Sequence, residues 1–160
     1  MGIRRALFIA VGCALVFTSA ALRAQTIVAS DPQTVVAALQ ASGLETDLIE
    51  SSDGSRRIDS SHDGIKFVVF FFTCDDDERN CKTLQFFMGY TDAKDTTLEQ
   101  LNEWNRTKRF TRAYRDADGD PVLEMDVDTD MGGVPDAWFR EQISVWLSQM
   151  DAFHTHLFPQ

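Results

Sequence analysis

Phe67-Val68-Val69-Phe70-Phe71-Phe72 is apolar at six consecutive positions, and this run restricts the fold more than any other feature of the chain. It is too short for a buried helix and is built from the aromatic and β-branched side chains that suit a strand. His62-Asp63-Gly64 before it reads as a turn, and the acidic run Asp75-Asp76-Asp77-Glu78 after it reads as a loop. Successive strand residues point to opposite sides, so a strand over Ile65 to Cys74 has two apolar faces. Phe86-Phe87-Met88, within a strand over Cys81 to Thr91, partly repeats the pattern. Helices on one side of such a sheet leave the second face open to water. The chain's own terminal helices are the expected cover, and a second copy or another protein is the alternative.

The remaining elements follow from caps and periodicity. Asp31-Pro32 opens a helix, Val35, Val36 and Leu39 give it an apolar stripe, and Gly43 ends it. Thr46 to Glu50 and Arg56 to Ser60 are short strands around Ser51-Ser52-Asp53-Gly54, which makes four consecutive strands with hairpin spacing. Thr97 and Gln100 form a capping-box pattern ahead of Leu98, Leu101 and Trp104. A hairpin over Thr111 to Asp116 and Pro121 to Asp128 turns at Ala117-Asp118-Gly119-Asp120. From Pro135 a last helix carries Trp138, Phe139, Ile143, Trp146, Leu147, Met150 and Phe153. The order α-ββββ-α-ββ-α predicts an α+β fold, an antiparallel sheet with helices packed on it.

The amino terminus predicts export. Arg4 and Arg5 precede an apolar run from Ala6 to Phe17, and small residues follow up to Ala24. The run is about a dozen residues, whereas a bilayer span needs roughly 20, so the pattern is that of a cleavable secretory signal peptide. Residues 1–24 are therefore read as signal peptide and 25–160 as one domain, periplasmic or secreted, with no stable membrane insertion after cleavage. Cleavage removes three arginines and no acid from 15 basic and 25 acidic residues, leaving a net charge of −13. A surface of that sign repels nucleic acid and anionic lipid. Ten of the 12 Phe remain, enough apolar material for a sizeable core despite the acidity.

Cleavage also leaves Cys74 and Cys81 as the only cysteines, an even pair in an oxidising compartment. They stand where two adjacent strands meet their loop, which favours a structural disulfide contributing about 2–3 kcal/mol. Redox chemistry fits poorly, because the intervening acids raise thiol pKa values. Asp116-Asp118-Asp120 and Asp126-Asp128-Asp130 have the spacing that begins a calcium loop. Pro121 and Met131 then occupy the glycine position, and no closing Glu follows. His154 and His156 fall on different sides of a helix, so they and His62 read as surface histidines rather than metal ligands. Arg106, Lys108, Arg109 and Arg112, interleaved with Phe110, form the one basic patch, expected to pair with the surrounding acids. Asn105-Arg106-Thr107 matches a glycosylation sequon on the predicted helix. No nucleophile elbow or phosphate loop is present, and nothing calls for a cofactor or a metal.

Leu101-Asn102-Glu103-Trp104-Asn105-Arg106, Arg109-Phe110, Ala113-Tyr114 and Gly119-Asp120-Pro121-Val122-Leu123-Glu124-Met125-Asp126-Val127 together resemble the YbjN domain family of bacteria. The Cys74…Cys81 hairpin with Leu84-Gln85-Phe86 is similar to its exported members. The resemblance covers nearly the whole mature chain. It implies a putative sensory transduction regulator and a fold like that of type III secretion chaperones, which bind extended protein segments and commonly dimerise. It supplies no catalytic residues.

These readings converge on an exported, non-enzymatic binding module for a protein partner or a second copy, with Phe70, Phe72, Phe87 and Trp104 as the expected contact residues. Two other classes compete with it. One is a hydrolase using paired carboxylates such as Asp126 and Asp128, which alternate strand positions place on one face. The other is a carrier of apolar small molecules, which requires a cavity between sheet and helices.

Overall fold

The computed structural model describes residues 26–159. The predicted signal segment therefore lies outside the described residues. Eleven elements follow in order: β1 (Thr26–Ile27), α1 (Pro32–Ala41), β2 (Glu45–Glu50), β3 (Arg56–His62), β4 (Ile65–Phe72), β5 (Thr83–Gly89), α2 (Leu98–Thr107), β6 (Arg112–Arg115), β7 (Pro121–Asp128), β8 (Val134–Pro135) and α3 (Asp136–Leu157). The fold is α+β, as the sequence predicts. Strands β2 to β7 form one antiparallel sheet in the order β2-β3-β4-β5-β7-β6, and β1 pairs with β8 beside it.

Local chemistry sets the element ends. The Asp31 carboxylate accepts from the Gln33 N–H, and Pro32 occupies the first turn, where its missing N–H costs nothing. At the other end Gly43 takes φ +84°, Leu44 N–H donates to Leu39 C=O, and Gly43 N–H donates to Gln40 C=O. That is a Schellman motif, and its two hydrophobic ends, Leu39 and Leu44, are both buried. The capping box at Thr97 and Gln100 forms as predicted.

The central hairpins set the faces. In the observed register Leu48, Ile58, Val69, Phe86 and Met125 stand side by side across five strands, all on one face. Phe67, Phe71, Leu84, Met88, Leu123 and Val127 share that face and are buried. Helix α3 lies over it, with Phe139 and Trp146 against Phe86 and Trp146 also against Phe67, at ring distances of 5.6–6.1 Å. Helix α1 packs beside α3, and α2 joins the same core through Trp104.

Two small features lock the periphery. Thr129 Oγ1 accepts from Ala29 N–H at 2.9 Å and donates to Lys82 C=O at 2.8 Å, tying the start of the domain to the β5–β7 region. Gly133, at φ +88°, lies so close to the first strand that a Cβ there would stand 2.6 Å from the Ile27 carbonyl oxygen. Only glycine fits that approach without displacing β1.

The expectation that terminal helices cover the second face of the sheet is not met. Among the described residues all three helices contribute to the core on one side. The reason is the size of the helical layer: α3 alone is 22 residues, about 33 Å of helix, and with α1 and α2 it is used up closing one face.

Candidate functional site

The uncovered face alternates with the core positions along each strand. Its centre is aromatic: the Phe70 ring lies 5.7 Å from Phe87 in an edge-on arrangement and 6.1 Å from Phe72. Phe72 is 46% exposed, and Phe70, Phe87 and Val68 are half-buried only by one another and their neighbours. These are three of the four predicted contact residues, and the sheet brings them into one cluster. Trp104 does not join them. It is fully buried, its ring 5.0 Å from Phe153, and its Nε1–H donates to Thr111 Oγ1 at 3.2 Å. The helical stripe that singled it out was a core stripe.

A polar strip borders the aromatic cluster on the β6 side. Register places Glu124 opposite Phe87 on one flank and opposite Arg112 on the other. The Glu124 carboxylate is only 5% exposed, and it accepts from Arg112 Nε at 2.6 Å and from the Tyr114 hydroxyl at 2.5 Å. Arg112 also reaches Asp126 at 3.3 Å, and Gln85 Nε2 donates to Asp126 Oδ1 at 2.8 Å. Because the Glu124 charge is removed from water, its two donors are what make its position tolerable. The network was not anticipated, although the turn at 117–120 fixes the pairing of Arg112 with Glu124 and would have revealed it.

On the β2 side the same face forms a groove of about 520 Å³, with Glu45 and Asp47 on its outer wall and Arg57, Asp59 and Lys66 towards Val68 and Phe70. A second hollow of about 330 Å³ shares Arg57 and Phe70 with it and extends to Phe72. The open face is thus an aromatic ridge with charged margins.

Other sequence candidates resolve separately. Cys74 and Cys81 form a disulfide that closes the β4–β5 loop. Asp75 turns inward to accept from the backbone of Arg79 and the side chain of Asn80, and these bonds hold its carboxyl below the usual carboxylate range. Asp116 likewise accepts from the N–H groups of Asp118 and Asp120, and Asp128 from that of Asp130. Asp126 and Asp128 do share the open face, but Asp126 is engaged by Arg112 and Gln85. His156 meets the Gln100 carbonyl at 2.8 Å and His154 meets the Tyr90 hydroxyl at 3.0 Å, each on a different neighbour. The basic patch disperses: Arg106 pairs with Glu103, Arg112 with the strip, Lys108 lies over Trp104 and Arg109 over Phe110.

Both tyrosines are pushed up to about 12. For Tyr90 the causes are burial and then the charges of Asp92 and Asp151; for Tyr114 they are burial and then the hydrogen bond to Glu124. A raised acid pKa means the native state holds its proton longer than the unfolded chain, which ionises near 10. This stabilisation is fully present below about pH 10 and is lost as pH rises towards about 12. Denaturant midpoints should therefore fall between about pH 9 and pH 11, and Tyr90→Phe with Tyr114→Phe should flatten that fall. An equal fall in the double variant would assign it to other groups.

The sequence matches the YbjN family, described as "Putative bacterial sensory transduction regulator", over residues 31–159. The chain therefore belongs to that family, whose description is regulatory rather than enzymatic. A search of curated proteins returned no match. Among the described residues no helix is long and apolar enough to cross a membrane.

Proposed function

We propose that the chain is an exported, non-enzymatic binding module that receives a protein segment on the open face of its sheet, in a regulatory or chaperone-like role. The observation that carries this reading is the Phe70–Phe72–Phe87 cluster, three large aromatic rings on a sheet face that no helix covers among the described residues. Contiguous apolar surface of this kind, rimmed by charge, is characteristic of interaction sites. Membership of a family described as regulatory supports the same reading, and the amino-terminal pattern supports export to the periplasm.

A photo-crosslinking residue in place of Phe72, in the full chain expressed with its own amino terminus, tests this. Adducts with a partner or with a second copy are expected from periplasmic extracts, and Phe70→Ser should abolish them with little change in stability. A strictly monomeric protein that gives no adduct from position 72 would refute the proposal.

A further inference from the structure

The two free edges of the sheet are treated differently. At β6 the side chain of Asn105, from α2, lies against the outer side of the strand. Its Nδ2 donates to the Ala113 carbonyl and its Oδ1 accepts from the Ala113 N–H, both at 2.8 Å. One amide thus satisfies both outward backbone groups of Ala113, the second of the four residues of that edge, as a neighbouring strand would. At β2, six residues long, no such plug exists among the described residues. The Asp63-Gly64 turn makes His62 and Ile65 a hydrogen-bonded pair. Antiparallel alternation then directs the backbone N–H and C=O groups of Thr46, Leu48 and Glu50 outward.

The β2 edge is also uniformly acidic. Glu45, Asp47 and Glu50 are exposed and form no ion pair among the described residues, and no base interrupts them. A second copy is a poor occupant: antiparallel pairing that aligns outward backbone groups sets Leu48 opposite Leu48, which brings Asp47 diagonal to its own copy and gathers six acids and no base on two neighbouring strands. A basic strand is electrostatically complementary. Its apolar positions have partners too, since Ile49 faces the open side beside the groove and Leu48 the helical side.

We propose that β2 is a strand-addition site for an extended basic segment of another protein, continuous with the open face. The claim deepens the binding function proposed above and rests on it. Pairing specifies the partner pattern: basic, apolar, apolar, basic, polar, basic, read antiparallel from Glu50 to Glu45. The first, third and fifth partner residues then exchange backbone hydrogen bonds with β2, and the second, fourth and sixth present their side chains to the open face.

The test uses the disulfide-bonded chain and a labelled synthetic peptide with the core Lys-Val-Ile-Lys-Thr-Lys, read by fluorescence anisotropy. Salt-sensitive binding is expected. N-methylation at the third and fifth residues should weaken it by about tenfold or more, because backbone bonds are lost, while methylation at the second and fourth should leave it nearly unchanged. Glu45→Lys with Asp47→Lys, both exposed, should weaken binding similarly, and a peptide with Glu at the fourth and sixth residues, Lys kept at the first, should restore it. No binding, or equal effects of the two methylation patterns, would overturn the proposal and leave the acids as mere protection of the edge. Binding indifferent to methylation but abolished by Phe72→Ser would overturn strand addition while supporting the open face, so the two readings fail separately.

Discussion

Alanine at Phe86 is expected to lower the unfolding free energy by about 3–5 kcal/mol, which is the range for truncating a fully buried aromatic residue. The ring is fully buried at the centre of the sheet and contacts Phe67, Phe139 and Trp146, so it connects β4, β5 and α3 in one cluster. Neighbours that large cannot collapse into the space, and the cavity left behind adds to the lost transfer energy. Against a total stability of about 5–15 kcal/mol for a domain of this kind, the variant should be close to unfolding at physiological temperature. The comparison is with Phe87, one residue along and on the opposite face, where the same substitution should cost far less. Denaturant unfolding of the two variants measures this contrast directly. Equal losses would mean that the open face is packed as tightly as the core.

Opening the disulfide ranks next. Serine at both Cys74 and Cys81 should cost about 2–3 kcal/mol, because the unfolded chain regains the entropy that closure of the short loop removes. The loop contains three residues with positive φ outside glycine, Thr73, Glu78 and Asn80, so it holds a conformation that an unconstrained chain would seldom adopt. Reductant should destabilise the wild-type protein by a similar amount and leave the double serine variant unchanged. A reductant effect on that variant would point to another target. Since Phe72 is the last residue of β4 before this loop, loosening it should also disorder one end of the aromatic ridge.

Much of this was legible in the residues, for reasons that differ between elements. Helix α1 announced itself because Asp31-Pro32 and Gly43 each solve a specific problem at a helix end, and such chemistry is local. Strands β4 and β5 were legible because apolar residues on both faces leave few alternatives. The insertion of β7 between β5 and β6 was not, since it depends on which sheet edge the hairpin docks against after α2 has crossed. The two-residue strands β1 and β8 also escaped notice, being too short to carry a periodicity. At the site, alternation along β4 puts Phe70 and Phe72 on one face, whereas Phe87 joins them only through the β4–β5 register, which the residues do not display. Trp104 was misread because a helical stripe shows that one side is apolar without showing what lies against it. Glu124 was overlooked because it reads as one more acid in an alternating series with Asp126 and Asp128, and its meaning resides in the cross-strand partners Arg112 and Tyr114.

The Asn105 amide at the β6 edge has a practical consequence for how the protein is made. Asn105-Arg106-Thr107 is a glycosylation sequon, and the nitrogen that would carry the sugar is the one that donates to Ala113. In a host that glycosylates secreted chains, a glycan attached before folding would take the place of that contact and hold α2 away from the strand. Material from such a host would be a mixture of closed and unsealed molecules, whereas a bacterial host yields the sealed form throughout.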